Sequence, residues 1–214
     1  IKKAFYVATT GRPGPVVVDI PKDFTEDKCE FSYPDSVEMR SYNPIIEISD
    51  DSIKQATEKI LSCDKPVIYA GGGVINSNAS EELTKFAKYL NFPVTNTLMG
   101  LGCFPGDDPQ FIQMLGMHGS YEANMAMHDC DLLIAVGARF DDRITGRLDK
   151  FSPNATVIHI DVDPSSISKN IKAHIPIHGD VKAAVNKLSE EIVGKNLKPK
   201  NIDKWWGQIN EWRK

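Results

Sequence analysis

Leu132-Leu133-Ile134-Ala135-Val136 is an unbroken apolar run that stops at Gly137. A strand with one wet face alternates apolar and polar residues, so a run without alternation needs cover on both faces. That condition holds inside a parallel sheet, where crossover connections lay helices over each side. The same pattern recurs at Pro66–Ala70, ahead of Gly71-Gly72-Gly73, and at Thr156–Asp161. Val94–Asn96 and Ile175–His178 are shorter candidates. Stretches with helical spacing lie between them. Asp50–Cys63 repeats Ile53, Ala56, Ile60 and Leu61, with Asp50, Asp51 or Ser52 as its cap. Ser80–Leu90 repeats Leu83, Phe86, Ala87 and Leu90, and Tyr121–His128 forms a further helix. Val181–Val193 repeats Val181, Val185, Leu188 and Ile192. Strands alternating with helices predict an α/β fold: a doubly wound, Rossmann-like parallel sheet of five or six strands with helices on both faces.

This rhythm occupies residues 46–194. Ahead of it, Ile1–Thr9 reads as the end of a helix, and Gly11-Arg12-Pro13-Gly14-Pro15 as a turn. Val16–Ile20 reads as a strand buried on both faces and ended by Pro21. Residues 1–22 thus suit the end of a preceding domain, and the polar stretch 23–45, with Pro34 and Pro44, a linker. The start at Ile1, without Met, suggests a piece of a longer chain. Residues 97–120 carry five glycines and weak periodicity, which predicts a long functional or mobile loop. In the tail, 195–214, Ile202, Trp205, Trp206, Ile209 and Trp212 recur at helical spacing. Such a face needs cover, either from a domain that follows, which is the expectation here, or by folding back on the sheet.

Composition narrows the function classes. Net charge is −4, and no basic stripe interleaves with aromatics, which argues against nucleic acid. The longest apolar runs are far too short to cross a bilayer. Cys29, Cys63, Cys103 and Cys130 are scattered, which suits reduced thiols in a cytoplasmic protein and predicts neither disulfide nor metal.

The chemistry-bearing residues sit where strands end, and in open α/β sheets ligands bind at carboxyl ends. Gly71, Gly72 and Gly73 let a backbone approach a phosphate. They do not make a G-x-G-x-x-G fingerprint: the third position is Asn76, and no acidic residue follows about twenty residues on at a second strand end. Beyond Val136, Gly137-Ala138-Arg139-Phe140-Asp141-Asp142-Arg143 puts two arginines around two aspartates; the guanidinium fork suits diphosphate or carboxylate. Asp161 ends the strand Thr156–Asp161 and suits a ribose hydroxyl, while Asp163, before Pro164, suits a ribose or a helix cap. Asp180 suits a helix cap or an adenine edge. Leu115-Gly116-Met117-His118 adds a soft surface at the same edge. Neither a nucleophile triad nor a metal cluster is present, and nucleotide phosphates are the ligand these positions suggest.

Taken together, these motifs resemble a known family. ATTGRPGPVVVDIPKD is similar to the end of the pyrimidine-binding domain of thiamine-diphosphate enzymes. VIYAGGGV, PVTNTLMGLGCFPGDDP, LGMHGSYEANMAMHDCDLLIAVGARFDDRITG and VIHIDVDP resemble the central domain of the acetolactate (acetohydroxyacid) synthases. GARFDDR is the discriminating piece: it looks like the FAD-containing biosynthetic members, not the FAD-free catabolic ones or pyruvate oxidases. A flavin module without catalysis is the competing reading, as is another decarboxylase or oxidase of the superfamily.

The resemblance implies a central domain that holds extended FAD. Arg12 would reach it from the preceding domain, and Gly71, Gly72 and Gly73 would line the flavin side chain or diphosphate. Thr97, Leu98, Leu115, Gly116, Met117 and His118 would lie along the same groove. Gly137, Ala138, Arg139, Asp141, Arg143 and Ile144 would form its second wall. Asp161 and Val162 would meet the ribose, Asp180 and Val181 the adenine. Arg143 would also pair with the carboxylate of the second 2-ketoacid, and Met117, Asp142 and Lys22 match positions near the channel where herbicides bind. Thiamine diphosphate and Mg²⁺ belong to the full enzyme: the family's catalytic glutamate and its GDG…N segment do not occur in this sequence. No catalytic residue is therefore expected here. The parent is expected to be a cytoplasmic homo-oligomer (in a eukaryote, plastid or mitochondrial) with a small regulatory subunit, and the tail to lead toward its diphosphate-binding domain.

Overall fold

The computed structural model describes residues 1–44 and 46–214. The chain divides into two compact units, Ile1–Ile46 and Glu47–Lys214. Ile45, the last residue of the expected linker, lies outside the described residues.

The first unit holds α1 (Lys2–Thr9) and α2 (Lys22–Glu26). Its described residues include none that is buried. Tyr42 gathers what packing there is. Its hydroxyl donates to the Thr10 carbonyl at 2.8 Å, and its ring meets Tyr6 edge-on at 5.9 Å. The strand expected at Val16–Ile20 does not form. Val17 is 91% exposed, and Val16, Val18 and Ile20 are exposed beside it. A strand exists through its neighbours, and the described residues of this unit contain no other strand for it to pair with.

The second unit is the doubly wound sheet. Its strands are β1 (Pro66–Ala70), β2 (Val94–Asn96), β3 (Phe111–Met114), β4 (Leu132–Val136), β5 (Thr156–Asp161) and β6 (Ile175–His178). All pairings are parallel, in the order β3-β2-β1-β4-β5-β6. Every residue of β1 and β4 is buried, the double cover that the unbroken apolar runs required. α3 (Asp50–Ser62) and α5 (Ser80–Leu90) both pack on α8 (Val181–Ser189), while α6 (Tyr121–Asp129) pairs with α9 (Asp203–Trp212).

Local chemistry fixes the helix ends. Ser49 caps α3 by accepting from Ser52 N–H at 3.4 Å, one residue ahead of the caps expected from sequence. Ser120 does the same for α6 and Asp180 for α8. α8 gives way at Ser189 to a π turn, Glu190–Gly194, which still buries Ile192.

The stretch 97–120 is more ordered than its glycines suggested. It contains a 3₁₀ turn, Leu98–Gly100, and the edge strand β3. β3 escaped the periodicity because it is bulged: its register with β2 shifts, and Gln113 takes φ +68°. Arg213 covers this edge, its guanidinium donating to the Pro109 and Phe111 carbonyls at 3.0 and 2.9 Å.

The tryptophan tail is a correction. α9 folds back on the sheet unit instead of awaiting a further domain. Trp205 is 2% exposed and donates Nε1–H to the Pro66 carbonyl at 3.0 Å. Trp212 meets it edge-on at 5.7 Å, and Ile209 is fully buried. A core that accepts an indole here stabilises the tail by several kcal/mol.

Between β1 and β4 the backbones touch through glycine. A Cβ on Gly71 would lie 2.2 Å from the Gly137 oxygen, and one on Gly73 would lie 2.7 Å from Gly137 Cα. Gly137 itself holds φ +56°. Only hydrogen fits at these three positions, and the closeness lets Gly73 N–H donate to the Gly137 carbonyl at 3.0 Å.

Three outcomes are expected. Gly71→Ala should cost about 3 kcal/mol in urea unfolding, against under about 1 kcal/mol for Gly72→Ala, whose Cβ would meet Met99 at 3.2 Å. Equal costs would contradict the packing. Trp205→Ala should cost about 3–5 kcal/mol; a loss near zero would mean that the tail is undocked. Burial pushes the thiols of Cys63 and Cys130 up to about 12 and that of Cys103 to about 11, while Cys29 is exposed. A disulfide reagent at mild alkaline pH should therefore titrate one thiol quickly and the other three only on unfolding.

Candidate functional site at the strand carboxyl edge

The strand order reverses direction between β1 and β4, since the chain leaves β1 toward β2 and leaves β4 toward β5. At such a point the connections diverge and open a crevice beyond the strand ends. The glycine cluster forms its floor. Gly71 N–H donates to Val136 O at 2.9 Å and Gly73 N–H to Gly137 O, so these two amides are already committed within the protein. Their role is to shape the floor. Gly72 opens the five-residue helix α4 (Gly72–Asn76) against Met99.

The β4–α7 loop, ahead of α7 (Asp142–Thr145), is the charged wall. Its carbonyls at Gly137, Ala138 and Phe140 turn into the protein. Gly137 O accepts from Gly73 N–H, and Ala138 O lies 3.0 Å from His159 Nε2. Phe140 O accepts from the Asn170 amide, and Asp141 O from the amides of Ile144 and Thr145. Phe140 itself is buried between Tyr69 and His159, at ring distances of 5.9 and 5.2 Å. A loop that draws its oxygens inward removes partial negative charge from its outer face. Arg139 stands on that face, half-exposed and 3.2 Å from Asp141 Oδ2. Asp142 spends one oxygen on Arg143 N–H, and the Arg143 side chain is exposed. The wall therefore presents two arginines and two aspartates at its surface, with Arg139 paired to Asp141.

Flanking positions converge on the same edge. Thr97 N–H donates to Ala70 O at 2.9 Å, and its hydroxyl accepts from Gly100 N–H, which leaves Leu98 exposed beside the floor. Leu115 N–H donates to Asn96 O at the end of β2. Gly116, at φ +109°, lets Ile144 approach, and Asn124 of α6 holds both of its backbone groups. Met117 and His118 are exposed. Past β5, Asp161 is nearly buried, with Oδ1 accepting from Asp163 N–H and Oδ2 3.9 Å from His159 Nε2. The Val162 carbonyl meets His178 Nε2 at 3.1 Å, and β5–β6 pairing brings this end beside Asp180 and Val181. Asp180 caps α8 through Ala183 N–H, and Asp163 accepts from both the amide and the hydroxyl of Ser165. Arg12 and Lys22 lie in the other unit, Lys22 paired with Glu26 at 3.6 Å.

Three supporting residues, His159, Phe140 and Asn124, lie inside the motifs quoted above, where they were given no role of their own. A cavity of about 190 Å³ borders the wall at Leu115 and Ile144 and runs under Phe151 and Ser152. It is smaller than the roughly 300–1,000 Å³ of ordinary ligand pockets. No group of three or more His, Cys, Asp or Glu among the described residues could hold a metal, and no helix there is long and apolar enough to cross a membrane.

Comparison with known proteins places this geometry in a family. Residues 53–188 match the thiamine pyrophosphate enzyme central domain. Over its whole length the chain is 52% identical to the acetolactate synthase large subunit of Buchnera aphidicola from Schizaphis graminum, covering 38% of that relative. It is 50% identical to the Haemophilus influenzae large subunit and 49% identical to the isozyme 3 large subunit of Escherichia coli, again over the whole chain and 38% of each relative. The chain thus spans about 38% of the length of the curated relatives it matches. Its matched sheet and helices make it a member of the thiamine pyrophosphate enzyme family, of which it carries the central domain.

Proposed function

We propose that this chain is the FAD-holding middle of an acetolactate synthase large subunit. The single observation that carries the cofactor reading is the β4–α7 loop at the switch point: carbonyls drawn inward, Arg139 and Arg143 outward. An extended diphosphate suits that wall, and Arg139 would meet it through charge-assisted hydrogen bonds. Gly72, Thr97, Leu98, Leu115, Gly116, Met117, His118, Ile144 and Val162 would line the groove, with Gly71, Gly73, Gly137 and Ala138 as floor. Asp161 would accept from a ribose hydroxyl, and Asp180 and Val181 would border the adenine. Arg12, in the first unit, is a further candidate that the resemblance offers.

In the full enzyme two pyruvates, or pyruvate and 2-ketobutyrate, would join with loss of CO₂. For two pyruvates the balance is one proton taken up and one CO₂ released, with no electrons left over. FAD would supply a flavin ring capable of redox chemistry that this balance does not call for. Arg143 would bind the carboxylate of the second ketoacid and orient its carbonyl. Thiamine diphosphate and Mg²⁺ would be held by other parts of the subunit, in a cytoplasmic homo-oligomer joined by a regulatory subunit.

Two outcomes test this reading. Titration of the 214-residue chain with FAD, followed by flavin fluorescence, should saturate, and Arg139→Ala should weaken binding roughly ten- to hundredfold. Equal binding by that variant would remove Arg139 from the site, and absence of saturable binding would remove the cofactor. Supplied with pyruvate, thiamine diphosphate and Mg²⁺, the chain alone should form no acetolactate; measurable turnover would overturn the division of labour.

A further inference from the structure

One of the inward carbonyls is held by a side chain whose presence packing alone does not explain. His159 lies in β5, fully buried, in the same cross-strand row as Ala135 and Tyr69. Its Nε2 is 3.0 Å from the Ala138 oxygen. A carbonyl cannot donate, so Nε2 carries the hydrogen and Nδ1 keeps a bare lone pair. That nitrogen is buried without a hydrogen-bond partner. Burial also holds the imidazole below its usual range, so it stays neutral and keeps this tautomer. An apolar ring would fill the space without an orphaned nitrogen but would leave the Ala138 oxygen without its donor, so packing by itself does not select the histidine. What it adds is a donor aimed at the loop that carries Arg139.

We propose that His159 is a positioning residue for the cofactor groove: by donating Nε2–H to Ala138 it locks the β4–α7 loop in the form that turns carbonyls in and Arg139 out. The inference rests on the FAD reading above and adds to it a residue that touches neither cofactor nor substrate.

Two variants separate this from a structural role. His159→Phe fills the volume without a donor, and His159→Gln keeps a donor. The Phe variant, which trades the orphaned nitrogen for an unpartnered Ala138 oxygen, should melt near the wild-type temperature yet bind FAD roughly tenfold more weakly, while Gln should return affinity to within about threefold of wild type. A folded Phe variant with wild-type affinity overturns the proposal, as does equal weakness in both variants in step with lost stability. Amide exchange of residues 138–144 in the cofactor-free chain reads the same lock without FAD: it should quicken in the Phe variant and not in Gln. If the wild type binds no FAD, the cofactor reading falls while exchange still decides the positioning role, unchanged exchange overturning it. If neither variant folds, nitrogen NMR of the wild-type imidazole decides: a hydrogen on Nε2 supports the lock, and one on Nδ1 overturns it.

Discussion

The contact on which the structure depends is backbone against backbone, where Gly71 and Gly73 meet Gly137. β1 and β4 pair over five residues, and both must turn away immediately beyond them, in opposite directions. With side chains at those turns the strand ends would splay, and α4 and the β4–α7 loop would start from the wrong places. Without them, Gly71 N–H and Gly73 N–H continue the ladder of hydrogen bonds past the last paired residues. Glycine here trades conformational entropy for proximity. The proximity gives the switch point a close-packed backbone floor, although the sequence lacks a dinucleotide fingerprint.

Much of this was legible in the residues themselves. Strands buried on both faces announce themselves by apolar runs that do not alternate, and β1, β4 and β5 were readable on that ground. The candidate residues could be placed at strand ends because the glycines and charges follow the runs directly. Three readings failed for different reasons. β3 hid because its bulge at Gln113 breaks the two-residue period. Val16–Ile20 has the composition of a strand, but a strand is a relation between segments, and residues 1–44 offer it no partner. The tryptophan helix showed a face needing cover without showing which surface would supply it; the Pro66 carbonyl at the start of β1 does. His159 was invisible as a functional residue because its contact, Ala138, is twenty-one positions away. Only the lateral registry of β4 with β5 brings them together.

The two units differ in how their order is maintained. The sheet unit has a continuous core from Ile48 to Ile209, so its elements stabilise one another cooperatively. Residues 1–44 have no buried side chain, and hydrogen bonds around Tyr42 and Thr10 hold them locally. Hydrogen bonds with no buried core around them open at low free energy.

Arg213 has a significance beyond the helix it follows. By donating to the Pro109 and Phe111 carbonyls it occupies acceptors at the open border of β3. The bulge at Gln113 already makes that border a poor template, and a cation placed across it repels the approach of an identical copy. The outermost strand is thus insulated from fibril-like growth, a form of colloidal protection that a parallel sheet with so apolar an interior would otherwise lack.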